Sequence, residues 1–310
     1  MRIAIIDLGT NTFNILIVKI NHAKSFAHLY QSKISVKLGE GGINKNYIEP
    51  LPFERGIEAL KTYKETMERF YVEKVYAFAT SAIRSASNGK EFLAKAKEET
   101  GIDVTMISGD KEAELIYYGV RNAVKLTEET SLIIDIGGGS TEFIIANKKE
   151  IFWKQSFLLG AARLLEMFNP SDRITDIEHK AIVNYLSGEL KPLLEAVKKY
   201  PITELIGSSG SFDSLAEMIV HKFYTPKILK NKTEYVFEIN DFKHIYEMII
   251  KSNKEERLNM KGLIEMRVDM IVISSIIVDF IIESFSITKM RLSTYALKEG
   301  MLDEIMNSKL

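Results

Sequence analysis

The sequence predicts an α/β protein of two domains that share one fold and face each other, each a mixed sheet with helices on its faces. Three observations carry this. Asp7-Leu8-Gly9 and Asp135-Ile136-Gly137 each follow an aliphatic strand and precede another, 128 residues apart. The stretches VYAFATSA (75–82) and TELIGSSG (203–210) each end a strand in hydroxyl residues, and Thr80 and Ser208 keep the same offset. Two loop types sharing one spacing mark an internal duplication. Within each half, hairpins give way to strand–helix crossovers, the pattern of a mixed sheet covered by helices.

In order along the chain, apolar periodicity predicts strands at 3–7, 13–20 and 27–36, and then a helix over about 53–70. A strand at 74–79, a helix at 89–100, a strand at 103–107 and a helix at 111–125 complete the first half. The second half reads as strands at 131–135, 141–147 and 150–157, helices at about 160–168 and 176–199, a strand at 203–207 and a helix at 211–222. The polar run from Lys125 to Thr130 is the expected linker, dividing the chain into domains 1–124 and 125–310. The final helix, about 297–310, is expected to pack back on the first domain. MIVISSIIVDFIIESFSI (270–287) is apolar enough to suggest a membrane span, but Asp279 and Glu283 interrupt it, so it reads as a buried core helix.

Composition narrows the function. At 46% hydrophobic, 310 residues can bury a sizeable core. Forty-one basic residues against forty-two acidic leave a formal charge of −1, so no global field exists to hold nucleic acid or a membrane surface. The absence of cysteine excludes disulfides, thiolate metal sites and cysteine nucleophiles. His22, His28, His179, His221 and His244 have no ligand-like spacing, which argues against zinc. The chain opens directly on a strand, with no basic and apolar leader. We expect a cytoplasmic homodimer with neither a nucleic-acid nor a membrane partner.

The loops carry the chemistry. A strand turning on glycine presents backbone N–H groups in one direction, and without Cβ atoms an anion can come close to them. Gly137, Gly138, Gly139, Ser140 and Thr141 make the richer such loop; Gly9, Thr10, Asn11 and Thr12 make one armed with side chains. Tight hairpin turns would also use glycine, but a matched pair, each headed by aspartate, points to phosphate. Asp7 and Asp135, at strand ends, would face one cleft and could associate Mg²⁺, which binds through one or two carboxylates, waters and phosphate oxygens. Thr80 and Ser81 precede Arg84, and Gly207, Ser208, Ser209, Gly210 and Ser211 precede a helix, so hydroxyls and helix amides can converge on anions or merely cap the helices. Glu112 falls in the first turn of its helix beside the buried stripe Ala113, Ile116, Tyr117 and Val120, where it could serve the helix dipole or catalysis.

These residues resemble a known family. DLGTNTFNILI, TSAIRSASNG, ISGDKEAELIYYGV, IDIGGGSTEFII, the GSSGS loop and GLIEMRVDMI together are similar to the exopolyphosphatase and guanosine pentaphosphate phosphohydrolase family, over nearly the whole chain. The resemblance implies two facing ribonuclease H-like domains of the actin-like ATPase superfamily, with the active site in the interdomain cleft. It also implies that Glu112 is the catalytic base and that Asp7 and Asp135 are Mg²⁺-associated. Asn11, Arg84, Gly137, Gly138, Gly139, Ser140, Gly207, Ser208, Ser209 and Gly210 would surround the phosphates. The implied reaction is Mg²⁺-dependent removal of terminal phosphate from inorganic polyphosphate, with pppGpp as the alternative substrate. Two features depart from the pattern: no additional C-terminal helical region follows, so this is expected to be a short form, and Thr294 and Tyr295 stand where the family often has aspartate and glycine. An actin-like ATPase or sugar kinase, and a regulatory nucleotide-binding protein with a degraded site, are the competing classes.

Overall fold

The computed structural model describes residues 1–21 and 25–307; His22 and the last three residues of the expected final helix lie outside them. The first half runs β1 (Arg2–Leu8), β2 (Thr12–Ile20), β3 (Phe26–Ser35), α1 (Pro50–Arg69), β4 (Lys74–Ala79), α2 (Ser81–Ser85), α3 (Gly89–Thr100), β5 (Val104–Met106) and α4 (Gly109–Ala123). The second begins with β6 (Ser131–Ile136), β7 (Thr141–Ala146), β8 (Ile151–Phe157), α5 (Ala161–Phe168), α6 (Asp176–Glu189), α7 (Lys191–Lys199), β9 (Glu204–Ser208) and α8 (Ser209–Phe223). It ends with β10 (Glu234–Phe237), α9 (Ile239–Ile250), α10 (Lys254–Leu258), α11 (Ile271–Phe285), β11 (Met290–Ser293) and α12 (Leu297–Asn307).

The duplication is visible in the topology. One sheet has the order β3-β2-β1-β4-β5, and the other repeats it as β8-β7-β6-β9-β11 with β10 added at the edge. In both, the opening hairpins are antiparallel and the crossover strands parallel. Strand β1 buries both faces. Ala4 and Ile6 face the first half's own core, while Ile3 and Ile5 face a third core between the sheets. That middle core takes Ile133, Ile144 and Ile206 from the second sheet and is filled by α4 and α12. The two sheets therefore meet across two helices, and α4 carries Glu112 into the space between them.

Helix α12 lies directly on α4. A Cβ built on Gly300 would sit 1.7 Å from the Leu115 carbonyl oxygen, and one on Gly119 2.0 Å from that of Ala296. Glycine at both places lets the backbones touch. Lys111 pairs with Glu304, and Asn122 Nδ2 donates to Asp303 at 2.9 Å, fastening the far ends.

Two of the following outcomes differ from the sequence expectation, and the third, a buried helix within 270–287, agrees with it. The single helix over 176–199 is two helices broken at Leu190, because Pro192 in the first turn of α7 has no N–H and its ring excludes a continuous preceding turn. Strands β10 and β11 and helix α9, left unassigned by periodicity, complete the second sheet's edge and its cover. The apolar segment at 270–287 is α11, 15 residues long and mostly buried, and no helix among the described residues is long and apolar enough to cross a membrane.

Candidate active site

Asp7 is penultimate in β1 and Asp135 is penultimate in β6. Each faces a polar residue directly across its hairpin, Asn14 on β2 and Glu142 on β7. Opposed residues in an antiparallel pair project from the same face, so the two hairpins hold their polar pairs toward one cavity of about 180 Å³ lined by both halves.

The glycine loop is held from behind by α5. Gly137 and Gly138 carbonyls accept from the Ala161 and Ala162 amides at 2.9 and 3.0 Å, and the Gly139 carbonyl accepts from Arg163 Nε at 2.9 Å. With those carbonyls turned away, the amides of Gly138 and Gly139 donate to no protein group among the described residues and remain available to an anion. A Cβ on Gly139 would fall 2.5 Å from Thr10 Oγ1 and 2.7 Å from Ser81 Oγ. Only bare backbone lets this loop meet the matching loop of the other half.

Burial governs the carboxylates. Asp7 Oδ2 accepts from Asn14 Nδ2 at 3.0 Å, while its Oδ1 is buried without a partner, and burial pushes its pKa up to about 7. Asp135 Oδ2 accepts from Ser208 and Ser209 hydroxyls at 2.8 and 2.9 Å, yet burial still holds its pKa above the ordinary range. Ser209 adopts a left-handed φ of +69°, a conformation rare outside glycine, to place its hydroxyl there. Glu112 Oε2 accepts from Arg84 Nη1 at 2.9 Å; burial, and then the like charge of Glu142, push its proton affinity well above that of a free glutamate. Glu142 Oε1 accepts from Ser140 and Ser156 hydroxyls at 2.7 and 2.6 Å, and burial followed by repulsion from Asp135 raises its pKa to about 7.

Of the residues expected at the site, Asp7, Asn11, Glu112, Asp135, Gly137, Gly138, Gly139, Ser140, Ser209 and Gly210 line the cavity. Three do not. Arg84 stands behind Glu112, bound to it and to the Ile107 carbonyl at 3.1 Å. Ser208 is fully buried and spends its hydroxyl on Asp135. Gly207 makes room for Phe212, whose ring would lie 2.0 Å from a Cβ there, so its missing side chain serves packing. Ordinary helix capping does not explain the hydroxyls at α8, since Ser208 makes no side-chain cap bond.

Sequence reasoning missed Glu142, Asp213, Arg267 and Lys298, all of which line the cavity. Glu142 could have been found, because it lies 128 residues after Asn14, the same offset as the aspartates. Arg267 enters beneath Gly210 with its Nε buried and unpartnered, and Lys298 pairs with Glu299 at 2.9 Å.

Glu142 offers a direct test of this electrostatics. Its carboxyl is neutral in both states below about 4.5 and ionised in both above about 7, so the cost of its buried charge grows as pH rises through that window and folded stability falls. Glu142→Gln keeps an acceptor for both serines and removes the charge. We expect the variant to be more stable than wild type by about 1–3 kcal/mol at pH 8 and equal to it at pH 4.5, by thermal or denaturant unfolding. A variant no more stable at pH 8 would contradict the burial cost.

By fold and site this is a two-domain, actin-like α/β protein whose cleft gathers carboxylates, cations and an open glycine loop, the make-up of a site that handles phosphoryl groups. The chain belongs to the Ppx/GppA phosphatase family, whose model matches residues 16–309. It is similar to an exopolyphosphatase from Cytophaga hutchinsonii, at 39% identity and a TM-score of 0.95 over 100% of this chain and 99% of that one. A Ppx/GppA family member from Aquifex aeolicus superposes with a TM-score of 0.80 at 26% identity, over 100% of this chain and 99% of the other. A guanosine-5'-triphosphate,3'-diphosphate pyrophosphatase of Photobacterium profundum is 28% identical over 98% of this chain and 59% of its own length. A bifunctional 3-dehydroquinate synthase/phosphatase of Fusobacterium nucleatum is 33% identical over 91% of this chain and 43% of its own. The chain thus spans about half the length of the curated relatives it matches.

Proposed function

We propose that this protein is a Mg²⁺-dependent exopolyphosphatase, releasing orthophosphate from the end of inorganic polyphosphate. The observation that carries this is the convergence of Glu112, Asp7, Asp135 and the glycine loop on one cavity formed by both halves. The terminal phosphoryl group would sit on the Gly138 and Gly139 amides, with Arg267 and Lys298 supplying positive charge. Glu112, held by Arg84, would take a proton from a water as its oxygen bonds to phosphorus; the bridging P–O bond breaks and the shortened polyphosphate leaves. A base whose proton affinity is raised above that of a free glutamate suits this transfer, and the anhydride supplies a good leaving group, so positioning and charge neutralisation do most of the rest.

The donor set fits Mg²⁺. Five carboxyl groups, Asp7, Glu112, Asp135, Glu142 and Asp213, line the cavity against three cations, Lys33, Arg267 and Lys298, and Asp7 Oδ1 lacks a partner. No cluster of three or more metal-ligating His, Asp or Glu side chains occurs among the described residues. An ion held by two carboxylates plus water and substrate would take Asp7 and Asp135 as its holders. When bound, Mg²⁺ would neutralise charge on the phosphate oxygens. Asp135→Asn retains an acceptor for Ser208 and Ser209, so it should fold normally while needing at least about tenfold more Mg²⁺ for half-maximal rate. Wild-type behaviour across a Mg²⁺ titration would remove Asp135 from the metal.

A second reading, pppGpp as substrate, has its own observation. A cavity of about 530 Å³ adjoins the first and has an apolar wall of Leu229, Tyr235, Leu263 and Ile264, which suits an aromatic base. Parallel phosphate release from tripolyphosphate, long polyphosphate, pppGpp and ATP tests all the readings together. ATP as the sole substrate would favour an actin-like ATPase or sugar kinase, and pppGpp binding without turnover a regulatory protein. We place the protein in the cytoplasm as a homodimer and retain 1–124 and 125–310 as its domains; light scattering tests the dimer.

A further inference from the structure

The two cavities share a neck, lined on both sides by Lys33, Gly210, Asp213 and Thr294. Asp213 projects from the second turn of α8 with its side chain open to this space. Three cations from separate elements face it: Lys33 of β3, Arg267 from the turn before α11, and Lys298 of α12. No ion pair to its carboxylate forms among the described residues, and Lys298 pairs instead with Glu299. Asp213 therefore spreads a negative charge over a cationic ring without closing a salt bridge. Beyond the neck, the second cavity carries Glu217 and Glu234 against Lys232 and His221, so it offers no basic track.

A polyphosphate bears a negative charge on every residue. Its end can enter the first cavity, and a long chain that continues outward through the neck passes Asp213 and then the two glutamates. Resting on the phosphohydrolase reading, we propose that Asp213 is a specificity-determining residue that favours substrates whose charge is confined to the few phosphates filling the first cavity. Long polyphosphate is disfavoured because each further phosphate meets a like charge where the ring of cations would otherwise attract it.

Asp213→Asn preserves shape and removes the charge. The ratio of kcat/KM for long-chain polyphosphate to that for tripolyphosphate should rise roughly fivefold, the scale of one unit charge several ångströms away in a partly hydrated cleft. The change should appear in KM and grow as salt is lowered. Calorimetric binding of the same two phosphates should shift by the same ratio, and this reads out Asp213 whether or not turnover is seen; absence of phosphate release from any substrate would count against the hydrolase reading alone. An unchanged ratio in binding overturns the proposal. So does a raised Mg²⁺ requirement with no change in chain preference, which would make Asp213 part of the metal site.

Discussion

Glu112→Gln is expected to lower kcat by about 10²–10⁴-fold, the usual cost of losing a general base, while leaving affinity for the phosphate substrate largely intact. Glutamine matches glutamate in shape, and its carbonyl oxygen can accept the bond that Arg84 Nη1 makes to Oε2 at 2.9 Å. What it cannot do is take up a proton. The glycine loop, Arg267 and Lys298 are untouched, so binding should survive. If Glu112 served only the α4 dipole, the same change would cost at most about 1 kcal/mol of stability and leave the rate alone. Single-turnover hydrolysis beside calorimetric binding separates these outcomes. A rate within about threefold of wild type, far short of the hundredfold lower bound for a lost base, would return Glu112 to the dipole.

Gly300→Ala is expected to destabilise the fold by about 3 kcal/mol, the upper end of the usual cost of overpacking. The added methyl would lie 1.7 Å from the Leu115 carbonyl oxygen, which is backbone inside α4 and cannot swing aside. The helices must separate. Because α4 carries Glu112 and α12 carries Lys298, activity should fall further than the loss of folded protein explains. Denaturant unfolding with proteolysis at α12 measures the first effect, and specific activity of the folded fraction the second. An unchanged midpoint would show that the two backbones do not meet at this point.

How much of the site is legible depends on distance along the chain. The hairpin aspartates could be read because each sits in a local pattern, an apolar strand, a carboxylate and a glycine turn, and because the pattern recurs at one offset. Glu142 was latent in that offset and passed unnoticed inside an apolar strand, where its neighbours suggested only core. The family resemblance implies a phosphate role for Gly207 and Ser208 along with the rest of their loop. The structure divides that loop: Ser209 and Gly210 line the cavity, while Gly207 accommodates Phe212 and Ser208 serves Asp135. Arg84 has the right chemistry for phosphate, but it stands outside the cavity lining, and its Nη1 donates to Glu112 and to the Ile107 carbonyl.

By itself the sequence determined the duplicated α/β plan, the ends of the strands that bear Asp7 and Asp135, and the glycine loop, because periodicity, turns and repeats are properties of neighbouring residues. Only the tertiary structure decided which cations reach those carboxylates and how strongly the acids hold their protons. Lys33, Asp213, Arg267 and Lys298 come from elements scattered over the whole chain and meet where two sheets close on α4 and α12. The altered proton affinities of Asp7, Glu112 and Glu142 arise chiefly from burial. Burial is fixed by how distant segments pack and exclude water, so no local pattern could have revealed it.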